Sequence, residues 1–294
     1  MIRKITNKVS ECYEYSTRKL ATKHVIAKVE LDKDENVKKF ADILKFFNTN
    51  KKWTNDELSF FEIIDNIRED YLNSQEKITI IDYGAGSPNS DRLQQQMENG
   101  VSGNSYLSEI YKSASTAKTW GELIFKIIRD FKPEKCLELG TSLGISGAYQ
   151  ISALKLNGFG ELITIEGSPH LAEIAGNNFE KFNYKGVHVH VGRFMDVLPN
   201  LLSKNNPIDL VFIDGHHDKV ATKKYYELIY PFLNKEAIVI FDDINWSKGM
   251  KQIWEYMYKK GKGIKASFDF YKWGICFVDK DWKDYGNNYY KVGI

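Results

Sequence analysis

Cysteine is scarce. Cys12, Cys136 and Cys276 are all that 294 residues contain, an odd number without metal-ligand spacing, which argues against a disulfide framework and against a zinc site. The thiols read as reduced and structural. Long apolar runs are missing too: nothing approaches the roughly 18 residues a membrane helix needs. Met1-Ile2-Arg3-Lys4 leads into polar sequence rather than into the apolar core of a secretion signal. A cytoplasmic protein with no membrane partner is expected. Charge of one sign is also lacking, with 41 Lys and Arg against 39 Asp and Glu. The net +2 gives no basic field of the kind nucleic-acid binders use. No internal repeat or low-complexity segment appears.

What is present is a globular composition, 43% hydrophobic and 14% aromatic, enough for one large core or two modest ones. The chain is organised around Cys136-Leu137-Glu138-Leu139-Gly140-Thr141-Ser142-Leu143-Gly144-Ile145-Ser146-Gly147. A short apolar run ends in an acid, two glycines follow, and a helical pattern runs through Ala148, Ile151 and Leu154. This is a buried strand turning tightly into a helix, with glycines that let a ligand approach the main chain. A dinucleotide fingerprint would need glycine where Ser142 stands, so a pyrophosphate cradle is not expected. Glu138, at the strand end, suits a cationic amino group near the turn.

The run Leu137 to Ser146 resembles the first motif of class I S-adenosylmethionine-dependent methyltransferases, and within them the catechol O-methyltransferase type. The resemblance implies a Rossmann-like α/β fold, with seven mostly parallel strands and an antiparallel last strand. The alternation of short apolar strands with helical patterns after Gly147 agrees with a parallel sheet covered on both faces. Leu162 to Glu166 is the second strand, and a carboxylate at its end can accept both hydroxyls of an adenosine ribose. Val187 to Val191 is the third, with His188 and His190 sharing one face. Gly192, Arg193 and Phe194 then lie where the related enzymes line the adenine pocket. Ile208 to Ile213 and Ala237 to Phe241 are the fourth and fifth strands.

In an open parallel sheet ligands bind beyond the carboxyl ends of the strands, which draws attention to Asp214, Asp242 and Asp243. Close carboxylates repel unless a cation or protons intervene. Hard divalent cations such as magnesium take oxygen ligands and leave positions for substrate oxygens. Catechol-type enzymes carry Asp, Asp, Asn at matching places, whereas Asp243 stands here for the Asn. In this respect the chain is similar to metal-dependent sugar and macrolide O-methyltransferases, which have a histidine three residues beyond the first acid; that position is His217. Asn205-Asn206-Pro207 precedes its strand and does not match the Asn-Pro motif of amino-methylating enzymes, which follows one.

Residues 1–112 are expected to be a helical N-terminal extension, serving as lid, substrate or oligomer element, and 113–294 the methyltransferase domain. Within the extension, Ile78 to Asp82 reads as a strand leading into Tyr83-Gly84-Ala85-Gly86-Ser87-Pro88. That loop also resembles a cofactor turn, but no helix or second acid-ended strand follows it. Pro88-Asn89-Ser90 and Asn99 to Asn104 suggest an irregular structural or substrate-side loop instead.

The resemblance implies transfer of a methyl group from S-adenosylmethionine to a hydroxyl of a small molecule or peptide, assisted by Mg2+ or another divalent cation. Glu138, Gly140, Thr141, Ser142 and Gly144 would hold the methionine part, Glu166 the ribose, and Gly192 and Phe194 the adenine. Asp214 would touch the cofactor and, with Asp242 and Asp243, the metal; His217 would take the proton. A metal-independent methyltransferase and a non-catalytic cofactor-binding protein are the alternatives, and a homodimer is left open.

Overall fold

The computed structural model describes residues 2–49, 51–86, 92–283 and 288–294. Two compact units result: residues up to 52 join 238–294, and Trp53–Ala237 forms the larger unit. This division does not follow the expected boundary near residue 112. Its physical reason is the polar and aromatic anchoring of the first helices to the C-terminal strands.

The chain enters the smaller unit with α1 (Ile2–Val29) and α2 (Glu35–Asn48). Asp34 caps α2, its carboxylate accepting the Asn36 and Val37 amides at 3.0 Å. The larger unit opens with α3 (Asn55–Asn73), started by a capping box between Thr54 and Glu57. Next come β1 (Lys77–Asp82), α4 (Gln94–Asn99) and β2 (Val101–Tyr106). β1 and β2 pair antiparallel, Lys77 opposite Tyr106 and Asp82 opposite Val101. Of the expected irregular loop over 99–104, Asn99 closes α4, Gly100 caps it and the rest begins a regular strand; Ser87, Pro88, Asn89 and Ser90 lie outside the described residues. Cross-strand pairing supplies what the sequence pattern lacks, since β2 is polar and largely exposed.

After α5 (Leu107–Ala114) and α6 (Lys118–Phe131) the α/β succession begins. It runs β3 (Lys135–Leu139), α7 (Ile145–Asn157), β4 (Glu161–Glu166), α8 (Pro169–Glu180), β5 (Val187–Val191), α9 (Phe194–Lys204), β6 (Ile208–Ile213) and α10 (Lys219–Ile229). The four strands are parallel, in the order β6-β3-β4-β5. Because helices cover the sheet, Leu137, Leu139, Ile163, Ile165, Leu210 and Val211 are all buried. α7 is buried along Ile145 to Leu154, and Gly121 of α6 takes the ring of its Tyr149, which a Cβ there would meet at 2.1 Å.

β7 (Leu233–Phe241) begins in the larger unit and runs on into the smaller one, followed by α11 (Lys248–Lys260), β8 (Ile264–Asp269), β9 (Gly274–Asp279) and β10 (Asn288–Lys291). β9 is antiparallel to β8, as expected, and β10 adds an eighth, parallel edge strand beside β8. The fold is a Rossmann-like α/β architecture. Among the described residues, no helix is long and apolar enough to cross a membrane.

Within the smaller unit Phe40 packs on Phe268, Phe270 and Phe277, with ring centroids 4.5 to 6.2 Å apart. Arg18 donates to the Asp269 carboxylate at 2.6 Å and to its carbonyl at 2.7 Å. Asp269 also accepts from Trp254 Nε1 at 3.2 Å and from the Tyr289 hydroxyl at 2.5 Å. Lys265, itself buried, pairs with Asp34. Removing one partner of a buried pair leaves an uncompensated charge. Asp269→Ala is therefore expected to destabilise this unit by about 3–5 kcal/mol, measured as the shift in its urea unfolding transition; an unchanged midpoint would show that the ion pair does not anchor the first helices.

Candidate functional site

The turn after β3 is fixed by backbone bonds to both neighbours. Gly140 and Thr141 amides donate to the Ile165 carbonyl of β4 at 3.0 and 3.3 Å, and the Asp214 amide beyond β6 donates to the Leu139 carbonyl at 2.9 Å. Gly140 has φ +107°, and a Cβ on it would sit 2.0 Å from the Asp214 carbonyl oxygen, so only glycine fits. Gly144, at φ +78°, caps α7, and its Cβ would press on Phe179 at 3.0 Å.

Ser142 between them is also left-handed at φ 48°. Its amide donates to Glu166 Oε2 at 2.8 Å, while the Ser168 amide donates to Glu166 Oε1 at 2.9 Å. The acid at the end of β4 is thus bound to the turn after β3. Burial raises its pKa, offset by these amides, and the field of Asp82 adds to the rise. Gly192, φ +144°, donates its amide to the Glu166 carbonyl at 2.9 Å.

Glu138 is placed differently from its expected role. Its carboxylate is fully buried, accepting from Gln150 Nε2 at 2.7 Å and from the Thr164 hydroxyl at 2.7 Å. Thr164 in turn lies 2.6 Å from the Thr141 hydroxyl. With its carboxylate fully buried and bonded to α7 and β4, Glu138 braces the turn from behind rather than lining an open cleft. Desolvation pushes its pKa up to about 7, against the pull of its hydroxyl and amide donors.

Beyond β6, His216 and His217 are both left-handed, at φ 69° and 47°. Non-glycine residues rarely adopt this conformation, and such strain concentrates at functional sites. His217 Nε2 lies 3.8 Å from Asp214 Oδ1, both half-buried. His216 points elsewhere, its Nδ1 at 2.7 Å from the Tyr225 hydroxyl, and burial lowers its pKa. Phe194 packs edge-on against Tyr225, with centroids 5.5 Å apart, and against Gly215, where a Cβ would meet its ring at 2.7 Å. Gly140, Thr141, Ser142, Gly144, Glu166, Gly192, Phe194, Asp214 and His217 thus all border the exits of β3 to β6 in the larger unit.

Asp242 and Asp243 follow β7 in the smaller unit. Lys272, from the turn between β8 and β9, places its ammonium 2.8 Å from Asp242 Oδ1 and 2.6 Å from Asp243 Oδ1. Asp243 is left-handed at φ 51°. Lys272 is a candidate that the sequence reading does not include, because nothing local links it to acids some thirty positions earlier. His188 and His190 lie on the edge strand β5, as their alternation with valine implied.

Residues 137–244 match a family model described as a methyltransferase domain. Over that stretch the chain is similar to methyltransferase domains. Catechol O-methyltransferase of Bos taurus is 31% identical to the chain over 148 residues, 46% of the chain and 53% of that protein. An uncharacterized protein of Acanthamoeba polyphaga mimivirus is 36% identical over 70 residues, 22% of the chain and 32% of its own length. The chain thus spans about half the length, or less, of these curated relatives. A putative caffeoyl-CoA O-methyltransferase from Staphylococcus aureus shares the fold, with a TM-score of 0.50, 17% identity, and coverage of 76% of the chain and 99% of that structure.

The buried acid Glu138 of the larger unit has a thermodynamic consequence. A carboxyl whose pKa is higher folded than unfolded retains its proton in the folded state, so stability is fullest below the unfolded value and is lost as pH rises towards the folded one. For Glu138 that window runs from 4.5 to about 7. Glu138→Gln is expected to remove this fall, worth at most about 3 kcal/mol, and urea midpoints at pH 5, 6, 7 and 8 measure it. Parallel pH profiles for wild type and variant would mean that Glu138 ionises freely in the fold.

Proposed function

We propose that the chain transfers the methyl group of S-adenosylmethionine to a hydroxyl of a small-molecule substrate. The observation that carries this reading is the Glu166 carboxylate drawn onto the Ser142 amide, which ties an acid-ended strand to a glycine turn that admits no side chain at Gly140. The cradle fits the cofactor. The main chain of Gly140, Thr141, Ser142 and Gly144 would take the methionine part, with Glu138 bracing it from behind. Glu166 accepts the Ser142 amide on Oε2 and the Ser168 amide on Oε1, with the Gly167 amide also bonded to it, and its remaining acceptor capacity would go to the ribose hydroxyls. Gly192 and the Phe194 ring would line the adenine.

S-adenosylmethionine supplies an activated methyl on a sulfonium centre. The protein's own work is then to exclude water, align the acceptor oxygen and remove its proton. Histidine suits proton removal near neutral pH, and His217, on a left-handed turn with Nε2 3.8 Å from Asp214 Oδ1, would do it. A peptide hydroxyl is chemically an acceptor of the same class.

A divalent cation of the magnesium type is the finer part of the proposal. Asp214, Asp242 and Asp243 are the ligands that the resemblance names, and it would lower the pKa of the acceptor hydroxyl. The donor chemistry of Asp242 and Asp243 fits, since the two carboxylates already gather around one cation, the Lys272 ammonium, for which a metal would have to exchange. That same ammonium favours a second reading, in which transfer needs no metal.

Calorimetry with S-adenosylmethionine, its demethylated product and NAD tests the cofactor: the first two should bind and NAD should not. Glu166→Ala should weaken cofactor binding by about 1–3 kcal/mol, and equal affinity would move the ribose contact elsewhere. With labelled cofactor and a panel of hydroxylated acceptors, His217→Ala should lower the rate about 10²–10⁴-fold. Excess EDTA should abolish turnover while sparing cofactor affinity; full activity under chelation would select the metal-independent reading.

A further inference from the structure

The β1–β2 hairpin lies in the larger unit, and its turn reaches the exits of three strands of the parallel sheet. The Ala85 amide donates to the His216 carbonyl beyond β6 at 2.8 Å. The Ile81 amide meets the Ser168 hydroxyl beyond β4 at 3.3 Å. Arg193, beyond β5, donates to the Glu98 carbonyl at 2.6 Å. Between these tethers sits the ring of Tyr83. A Cβ on Gly167, the residue after Glu166, would come within 2.5 Å of it, and a Cβ on Gly100 within 2.9 Å. The ring is therefore slotted between two glycines, one of them next to the Glu166 carboxylate.

The turn that carries Tyr83 is held from inside the hairpin. Asp82 accepts the Gly84 amide at 2.8 Å, and Arg92 donates to Asp82 at 2.7 Å and to the Gly84 carbonyl at 2.6 Å. Tyr83, Gly84 and Ala85 are half-buried although they belong to a turn. Hydrophobic packing of the hairpin alone does not require this: β2 is polar and largely exposed, and of β1 only Ile78 is buried. The segment is instead spent on reaching Gly167, Ser168, Arg193 and His216. Asp82 is near enough for its charge to be felt at both Glu166 and His216.

We propose that this hairpin is the outer wall of the adenosine half of the cofactor cleft, with Tyr83 as a binding residue that lies against the ribose and adenine beside Glu166. The proposal rests on the cofactor reading above and adds to it a specificity element from outside the methyltransferase domain. A flat ring next to a ribose-binding carboxylate suits a nucleoside, whose base and sugar present faces and hydroxyls, and not the methionine part. The wall contributes to the adenosine end alone. The strand exits that supply Glu166, Phe194 and His217 are the ones it touches.

The test compares wild type with Tyr83→Ala, using S-adenosylhomocysteine and 5′-methylthioadenosine as probes, with dissociation followed by tryptophan fluorescence and folding checked by thermal melting. Both probes carry adenosine and only the first carries the amino acid. Tyr83→Ala should weaken both by the same factor, about fivefold to tenfold, chiefly through faster dissociation. In wild type, hydrogen exchange over 77–86 and 98–106 should slow when S-adenosylhomocysteine binds, a readout that does not depend on the variant. If wild type binds the probes but Tyr83→Ala has unchanged affinity and dissociation, or exchange in the hairpin does not respond, the wall is wrong and the cofactor reading stands. If wild type binds neither probe, the cofactor reading falls and the wall falls with it.

Discussion

The close approach of the Gly140 main chain to the Asp214 carbonyl is the constraint on which the larger unit's site depends. A side chain at 140 would lie 2.0 Å from that oxygen, so the turn after β3 and the exit of β6 can share one place only while residue 140 has no Cβ. The same turn donates two amides to Ile165, which sets its distance from the end of β4. Glu166 is then close enough to accept the Ser142 amide, and Asp214 is held where His217 can face it. A glycine thus decides the spacing of groups drawn from three strands.

Behind that turn the polar chain Gln150, Glu138, Thr164 and Thr141 fills space that apolar side chains could have filled. Burying a carboxyl costs free energy unless donors surround it, and α7 and β4 supply them here. The arrangement fixes the turn's orientation at the expense of a carboxyl that prefers its proton. This is the pattern expected where stability is traded for a defined ligand-facing backbone. The left-handed Ser142, His216, His217 and Asp243 follow it, since each stores strain at a strand exit and none lies in a helix or strand interior.

Much of this was legible in the sequence because it is local. Apolar runs ending in Glu138, Glu166 and Asp214 announced parallel strands, and the spacing of Gly140 and Gly144 announced the turn. The roles of particular acids were less legible. Glu138 looked like a ligand because a strand-end carboxylate has no local partner, yet its partners are Gln150 on the next helix and Thr164 on the next strand. Asp242 and Asp243 looked like a pair in need of a cation, and the Lys272 ammonium, remote in sequence, lies against both. The grouping of the first helices with the last strands was hidden for the same reason: Arg18 and Asp269 are 251 positions apart, and charge at that separation carries no periodic signal.

The hairpin turn shows most directly why a glycine cannot be interpreted from its own neighbourhood. Gly84 and Gly86 drew attention as a cofactor-like loop; the short helix α4 does follow them, but β1 pairs with β2 in a sheet of its own, so they do not form the turn after a Rossmann strand. The glycine that matters for that loop is another one. Gly167 is not in the left-handed region, so no backbone requirement explains it; what explains it is the Tyr83 ring lying where its Cβ would be. Gly100 answers to the same ring with a backbone that is left-handed as well, at φ +75°. Tyr83 is therefore admitted by two glycines, by Gly167 on its own account and by Gly100 together with Ile81, which a Cβ there would meet first, at 2.5 Å. An exposed loop that only joined two strands would not require either concession, and their coincidence beside Glu166 is what turns a connecting segment into part of the site.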